Sequence, residues 1–75
     1  MSIKLRQLEA FYAVGQLGSM TLAAKKLKIS QPAVSRLLAS YSESIEFKLF
    51  QRQNGKLVPT QDAKFLLREV GRLLD

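Results

Sequence analysis

The chain has no cysteine and no histidine. Their absence excludes disulfides, zinc fingers, thiol nucleophiles and imidazole bases together. No pair of carboxylates stands at a spacing suited to acid–base work, and 75 residues enclose no pocket-sized core. The sequence therefore points away from an enzyme, and it calls for no metal and no cofactor. Apolar runs are only a few residues long, as in Phe11-Tyr12-Ala13-Val14, too short for a membrane span or a secretory leader. A cytoplasmic protein with no membrane partner is expected. Negative charge is also scarce. Six Asp and Glu stand against twelve Lys and Arg, a net charge of +6 and a pI near 10.1. No acidic residue lies between Glu9 and Glu43, a span that carries Lys25, Lys26, Lys28 and Arg36. Such a bias is either a solvated surface or the footprint of a polyanion, usually phosphate.

What is present suffices for a fold. Apolar residues make up 47% of the chain, enough for a core in one small domain. The Leu5, Leu8, Tyr12 spacing predicts an amphipathic helix over about Lys4–Leu17, with Phe11 and Val14 also apolar. Gly15 weakens its last turn and Gly18 stops it. Ser19 is placed to cap a second helix, Met20–Leu27, in which Ala23 and Ala24 permit close helix approach. Leu27 and Ile29 bracket a sharp connection through Lys28. Ser30 then caps a third helix, and Pro32 stands in its first turn, where no N–H is needed. This helix is expected to run to Ser44 or Ile45, with Val34, Leu38, Tyr41 and Ile45 as its core stripe and Leu37 at the border.

Phe47, Leu49 and Phe50 are expected to fold back onto the core. Asn54-Gly55 supplies the positive φ angles of a tight hairpin, flanked by short strands near Phe50–Arg52 and Lys56–Pro59. Thr60 caps a last helix from Gln61 to the chain end. Its apolar positions Ala63, Leu66, Leu67, Val70, Leu73 and Leu74 contain a coiled-coil-like spacing. That stripe is either a dimer seam or a face packed on its own domain, and the seam is the favoured reading.

A short helix, a turn, and a helix with a polar first turn form a helix-turn-helix, and the hairpin makes it a winged one. Gln31 and Ser35 share a polar arc of the third helix, extended by Pro32 and Arg36. Gln31 can bond bidentately to adenine, and Arg36 reaches guanine or phosphate. The Ala33 methyl and the Pro32 ring can touch a thymine methyl. Ser30, Lys28, Arg52, Asn54 and Lys56 complete the expected DNA contacts, the wing lying on backbone or minor groove. Each has a plainer role: Ser30 as a cap, Asn54 for the turn, Tyr41 in the core. A helical interaction or membrane-surface module is the competing class. It is disfavoured because the last helix balances Lys64, Arg68 and Arg72 against Asp62, Glu69 and Asp75.

Leu5-Arg6-Gln7-Leu8, Gly18-Ser19-Met20-Thr21-Leu22-Ala23-Ala24, Ser30-Gln31-Pro32-Ala33-Val34-Ser35-Arg36, Leu49-Phe50-Gln51-Arg52 and Pro59-Thr60 together resemble the DNA-binding domain of LysR-type transcriptional regulators. Residues 59–64 are similar to the branch holding the lysine-biosynthesis and opine-catabolism regulators. The resemblance implies a mainly α, winged helix-turn-helix domain over residues 1–60 and the start of a dimerisation linker helix over 61–75. A C-terminal effector domain would lie beyond this chain. It implies bacterial nucleoid location and a homodimer on operator DNA with inverted-repeat half-sites, often a tetramer in the full protein. It assigns Gln31, Pro32, Ser35 and Arg36 to the major groove. The family usually has Gly where Glu46 stands and near Ala63, and often carries a basic residue where Leu37–Ser40 are neutral. That neutrality moves phosphate anchoring toward the second helix and the wing.

Overall fold

A computed structural model describes residues 3–74. Four helices and one hairpin follow in the order α1 (Ile3–Leu17), α2 (Met20–Leu27), α3 (Gln31–Glu43), β1 (Phe50–Gln53), β2 (Lys56–Pro59) and α4 (Gln61–Leu74). Asp75, which the expected last helix included, lies outside the described residues. Helix ends follow local chemistry. Gly18 takes a φ of 68° after α1, where a side chain would be strained. The Ser19 hydroxyl accepts from Leu22 N at 3.1 Å and starts α2. The Ser30 hydroxyl accepts from Ala33 N at 3.1 Å and starts α3, with Pro32 in the first turn. Helix α3 ends at Glu43, a residue or two short of the expected Ser44 or Ile45. There the Ser44 hydroxyl donates to Tyr41 O at 2.7 Å, competing for a carbonyl of the last turn.

The core is built around α1, which packs against α2, α3, α4 and β2. Phe11, Val14 and Val34 are its largest fully enclosed side chains. The Phe11 ring meets Tyr41 at 5.3 Å and Phe50 at 5.7 Å between centroids, both tilted, an arrangement that adds to simple area burial. Burial also raises the pKa of the Tyr41 hydroxyl above its ordinary value. Ala10, Ala13, Ala23 and Ala24 are buried and keep the helices close. The Leu5, Leu8, Tyr12 stripe expected of α1 is corrected here. Its fully buried residues are Ala10, Phe11 and Val14, with Ala13 beside them, while Leu5 is 37% exposed. The reason is that α1 is covered on two sides. Leu8 and Tyr12 only flank the core, and Tyr12 faces the second cover, α4.

That contact gives Gly15 a role other than weakening a turn. A Cβ there would stand 2.7 Å from Leu67 Cδ2, and one at Gly71 would stand 3.0 Å from Tyr12 Cε1. Each glycine thus admits a side chain from the opposite helix. Ala63 and Val70 are 0% and 2% exposed, inside the domain core. Two of the six residues expected to form a dimer seam therefore face inward. Leu66, Leu67 and Leu74 are partly buried against the same core. Leu73 is 74% exposed, and Phe65, which the spacing argument omitted, is 63% exposed. The face left open on α4 is rotated from the expected one, because α1 already occupies the Ala63–Val70 side.

The wing is a two-stranded antiparallel ladder pairing Phe50 with Pro59, Gln51 with Val58, Arg52 with Leu57 and Gln53 with Lys56. Asn54 and Gly55 have φ of 53° and 79°, the positive pair expected of a two-residue turn. Leu57 N donates to Gly18 O at 3.1 Å and fastens the wing to the α1–α2 turn. At its far end Thr60 joins three segments. Its hydroxyl donates to Lys48 O at 2.6 Å and accepts from Ala63 N at 3.3 Å. Its backbone N–H donates to Leu49 O at 3.0 Å.

Two outcomes follow for stability. Thr60→Val keeps the shape but removes the hydroxyl, and it should lower unfolding free energy by about 1–2 kcal/mol, with Thr60→Ser close to wild type in urea titrations. Phe11→Ala should cost about 3–5 kcal/mol. That is comparable with the whole stability of such a domain, for which roughly 0.05–0.15 kcal/mol per residue is usual, so its cooperative thermal transition should be lost. Leu22→Ala, at an exposed helix position, should stay within about 0.5 kcal/mol of wild type.

Candidate nucleic-acid interface

The corner between α2 and α3 is set by backbone geometry. Lys28 adopts the left-handed conformation, φ 61° and ψ 41°. Its N–H donates to Lys25 O at 3.3 Å, and Ile29 N donates to Ala24 O at 3.1 Å. This pair of bonds is a Schellman closure, which consumes two free carbonyls of α2. Ser30 opens α3 two residues later, so a short turn joins two helices that pack on each other. Lys25 and Lys26 lie in the last turn of α2, where positive charge also suits the helix dipole. Their presence is thus explained in part without any ligand.

On α3 the exposed residues are Gln31, Pro32, Ser35, Arg36, Ala39, Ser40 and, in the last turn, Glu43, while Val34 and Leu38 enter the core. Ala33, expected to touch a thymine methyl, is less open than Pro32 and Arg36. It is half-buried and lines a groove of about 560 Å³ on the α1 side, with Ile29, Leu37, Arg6 and Arg36. Arg6 was not expected there. The same flank carries a hydrogen bond from Gln7 Nε2 to Ser40 Oγ at 2.9 Å, tying α1 to α3. Ser35 lies on the opposite flank, in a groove of about 360 Å³ shared with Ala39, Ser42, Phe50 and Lys48. Lys48 supplies a cation beside the neutral half of α3, and the sequence reading passed it over.

The wing closes on the start of α3. Gln31 and Arg52 line one notch of about 160 Å³ together with Gly18, Ser19, Thr21 and Gly55. The Thr21 hydroxyl donates to Gln31 Oε1 at 3.1 Å. Arg52 Nη1 lies 3.5 Å from Gly55 O, a long bond within the turn. Arg52, Asn54 and Lys56 are all exposed. Among the described residues the ion pairs are Arg6–Glu9, at the edge of the α1-side groove, and Arg72–Glu69 on α4. The cations at positions 25, 26, 28, 36, 52 and 56 therefore have no carboxylate partner among the described residues. No group of His, Cys, Asp and Glu among them is arranged to hold a metal, and no helix is long and apolar enough to cross a membrane.

A family model described as bacterial regulatory helix-turn-helix protein, lysR family, matches residues 5–64. The chain belongs to the LysR family. A regulator named DgcR, from a Pseudoalteromonas species, is 44% identical over 71 residues, covering 95% of this chain and 24% of that protein. The octopine catabolism/uptake operon regulatory protein OccR of Rhizobium meliloti is 44% identical over 70 residues, covering 93% and 24%. It is of the opine-catabolism kind that residues 59–64 resemble. The chain thus spans about a quarter of the length of these relatives. Among solved structures, the BenM DNA-binding domain in complex with benA site 1 DNA superimposes with a TM-score of 0.87 at 34% identity. The match covers 99% of this chain and 81% of that one. The present fold is a LysR-type DNA-binding domain, a winged helix-turn-helix followed by α4.

The strained corner yields a test. Lys28→Gly removes a side chain from a left-handed backbone and should raise stability by about 1 kcal/mol, measured as a higher denaturant midpoint at unchanged slope. A lowered midpoint would contradict the geometry described for this turn.

Proposed function

We propose that this domain binds double-stranded DNA sequence-specifically, with α3 in the major groove and the wing along the backbone or in the minor groove. One observation carries the reading. The polar start of α3 and the wing cation Arg52 open on one notch, in a surface whose cations have no carboxylate partner among the described residues. Gln31, Ser35 and Arg36 then read or anchor. Pro32 adds an apolar contact. Ser30 holds the helix start, and Lys28, Asn54 and Lys56 meet phosphates. The free N–H groups of the first turns of α2 and α3 favour phosphate oxygens as well. On this reading the protein is a binding module rather than an enzyme, and it works in the bacterial cytoplasm on the nucleoid.

Size argues for two copies. The longest dimension of the domain is 29 Å, while half-sites on one face of B-DNA lie roughly 34 Å apart. One domain therefore covers one half-site, and an inverted repeat needs a second. The reading places the second copy against α4, through Phe65, Leu66 and Leu73 rather than Ala63 and Val70. Residues 1–60 are the reading unit in this picture. Helix α4 opens a linker toward an effector domain in the longer regulator, in which tetramers form.

Binding should fall steeply with salt, as about 0.9 counterions are released for each phosphate contacted. A dimer making six to ten such contacts should lose roughly 10³–10⁵ in affinity between 50 and 200 mM salt. Gln31→Ala should relax preference at one base pair in each half-site, whereas Lys56→Ala should weaken all duplexes alike and flatten the salt slope by about one per bound copy. Fluorescence anisotropy on selected and random duplexes reads both. Salt-insensitive binding, or no preference for inverted repeats, would reject the proposal.

A further inference from the structure

We infer that Thr21 is a positioning residue that decides which base edge Gln31 reads, an inference that rests on the major-groove reading above. Thr21 and Gln31 stand on different helices, both exposed, with their side chains bonded at 3.1 Å. In this structure the amide oxygen of Gln31 is the atom facing Thr21. Oε1 of an amide carries no hydrogen, so the hydroxyl donates and the amide oxygen accepts. The oxygen is therefore drawn toward α2. Because the amide is planar, its NH₂ group turns to the other side, where nothing among the described residues accepts from it.

That orientation changes the readout. Bidentate recognition of adenine uses both ends of the amide: the oxygen accepts from N6 and the nitrogen donates to N7. With one lone pair of Oε1 filled and the oxygen held against α2, Gln31 presents itself chiefly as a donor. The matching edge is one rich in acceptors, guanine with O6 and N7 side by side. The same bond narrows the rotamers of a long side chain before DNA arrives, which favours tight binding in one pose. Thr21 lies in the notch with Arg52 and Gly55, so the pair sits where α2, α3 and the wing converge.

The test selects duplexes from a random pool with the 75-residue chain and with Thr21→Val, Thr21→Ser, Gln31→Ala and the Thr21→Val/Gln31→Ala double variant. Valine keeps the shape and branching of threonine without its hydroxyl. Wild type should prefer guanine at the base pair whose preference Gln31→Ala relaxes. Thr21→Val should move that preference toward adenine by about three- to tenfold, the size of one hydrogen bond gained or lost. Thr21→Ser should keep the wild-type profile, and Thr21→Val should add nothing once Gln31 is alanine. Melting curves of Thr21→Val should overlay wild type, since the residue is exposed. An unchanged base profile in Thr21→Val would overturn the inference while leaving the major-groove reading intact. Equal weakening of every duplex would also overturn it, by making Thr21 a direct phosphate contact. If Gln31→Ala changes no position, the major-groove reading itself fails, and the inference with it.

Discussion

The left-handed backbone at Lys28 is the constraint on which the interface depends. With φ at 61°, it ends α2 and aims the chain so that Ser30 can begin α3 at once. A residue with a side chain adopts this conformation at a cost of about 1–2 kcal/mol. The surroundings offset that cost through the two closing hydrogen bonds from Lys28 and Ile29 and through burial of Ala23, Ala24 and Val34 on either side of the corner. Two short helices joined this tightly move as one body. The polar turn at the start of α3 is therefore held by burial of Val34 and Leu38 and by the Tyr41 ring against Phe11, and not by the exposed residues themselves.

The second supporting relation is the seating of α4 on α1. Glycines at 15 and 71 remove bulk where Leu67 and Tyr12 must enter, and Thr60 locks the start of α4 to Lys48 and Leu49. The wing is fastened at both ends, to Gly18 and to Thr60. It cannot swing freely relative to α3. This gives the proposed dimer a rigid lever, because the angle of α4 is coupled through α1 to the angle of the reading helix. The inward side of α4 stabilises the domain, and its outward side, with Phe65 and Leu73, stays exposed.

Much of this was legible in the residues because it is governed by local rules. The Ser19 and Ser30 caps, the Pro32 position, the Asn54-Gly55 turn and the α2 limits depend on a few neighbouring groups and were found as expected. The α1 stripe and the orientation of α4 were not, since helix spacing tells that an apolar face exists but not how many neighbours share it. Ala33 illustrates the same limit within the site. Its methyl was expected at a thymine, and only the approach of α1 shows that it is half-buried in a groove shared with Arg36. Thr21 was missed because its partner is ten residues away across a turn, a relation that no spacing rule encodes. Lys48 was missed because an isolated lysine in a loop carries no pattern.

By itself, then, the sequence determined the element order, the corner chemistry, the lack of cysteine and histidine and the positive character of the surface. It could do so because capping, turn geometry and side-chain chemistry are properties of short segments. Tertiary structure alone decided which polar groups converge: Gln31 with Thr21 and Arg52, Ser35 with Lys48, and Phe65 in place of Ala63 on the open face of α4. Those outcomes depend on the relative rotation of packed helices about their axes, and that rotation is set by the fit of Phe11, Tyr12 and Leu67 into their neighbours rather than by any one segment.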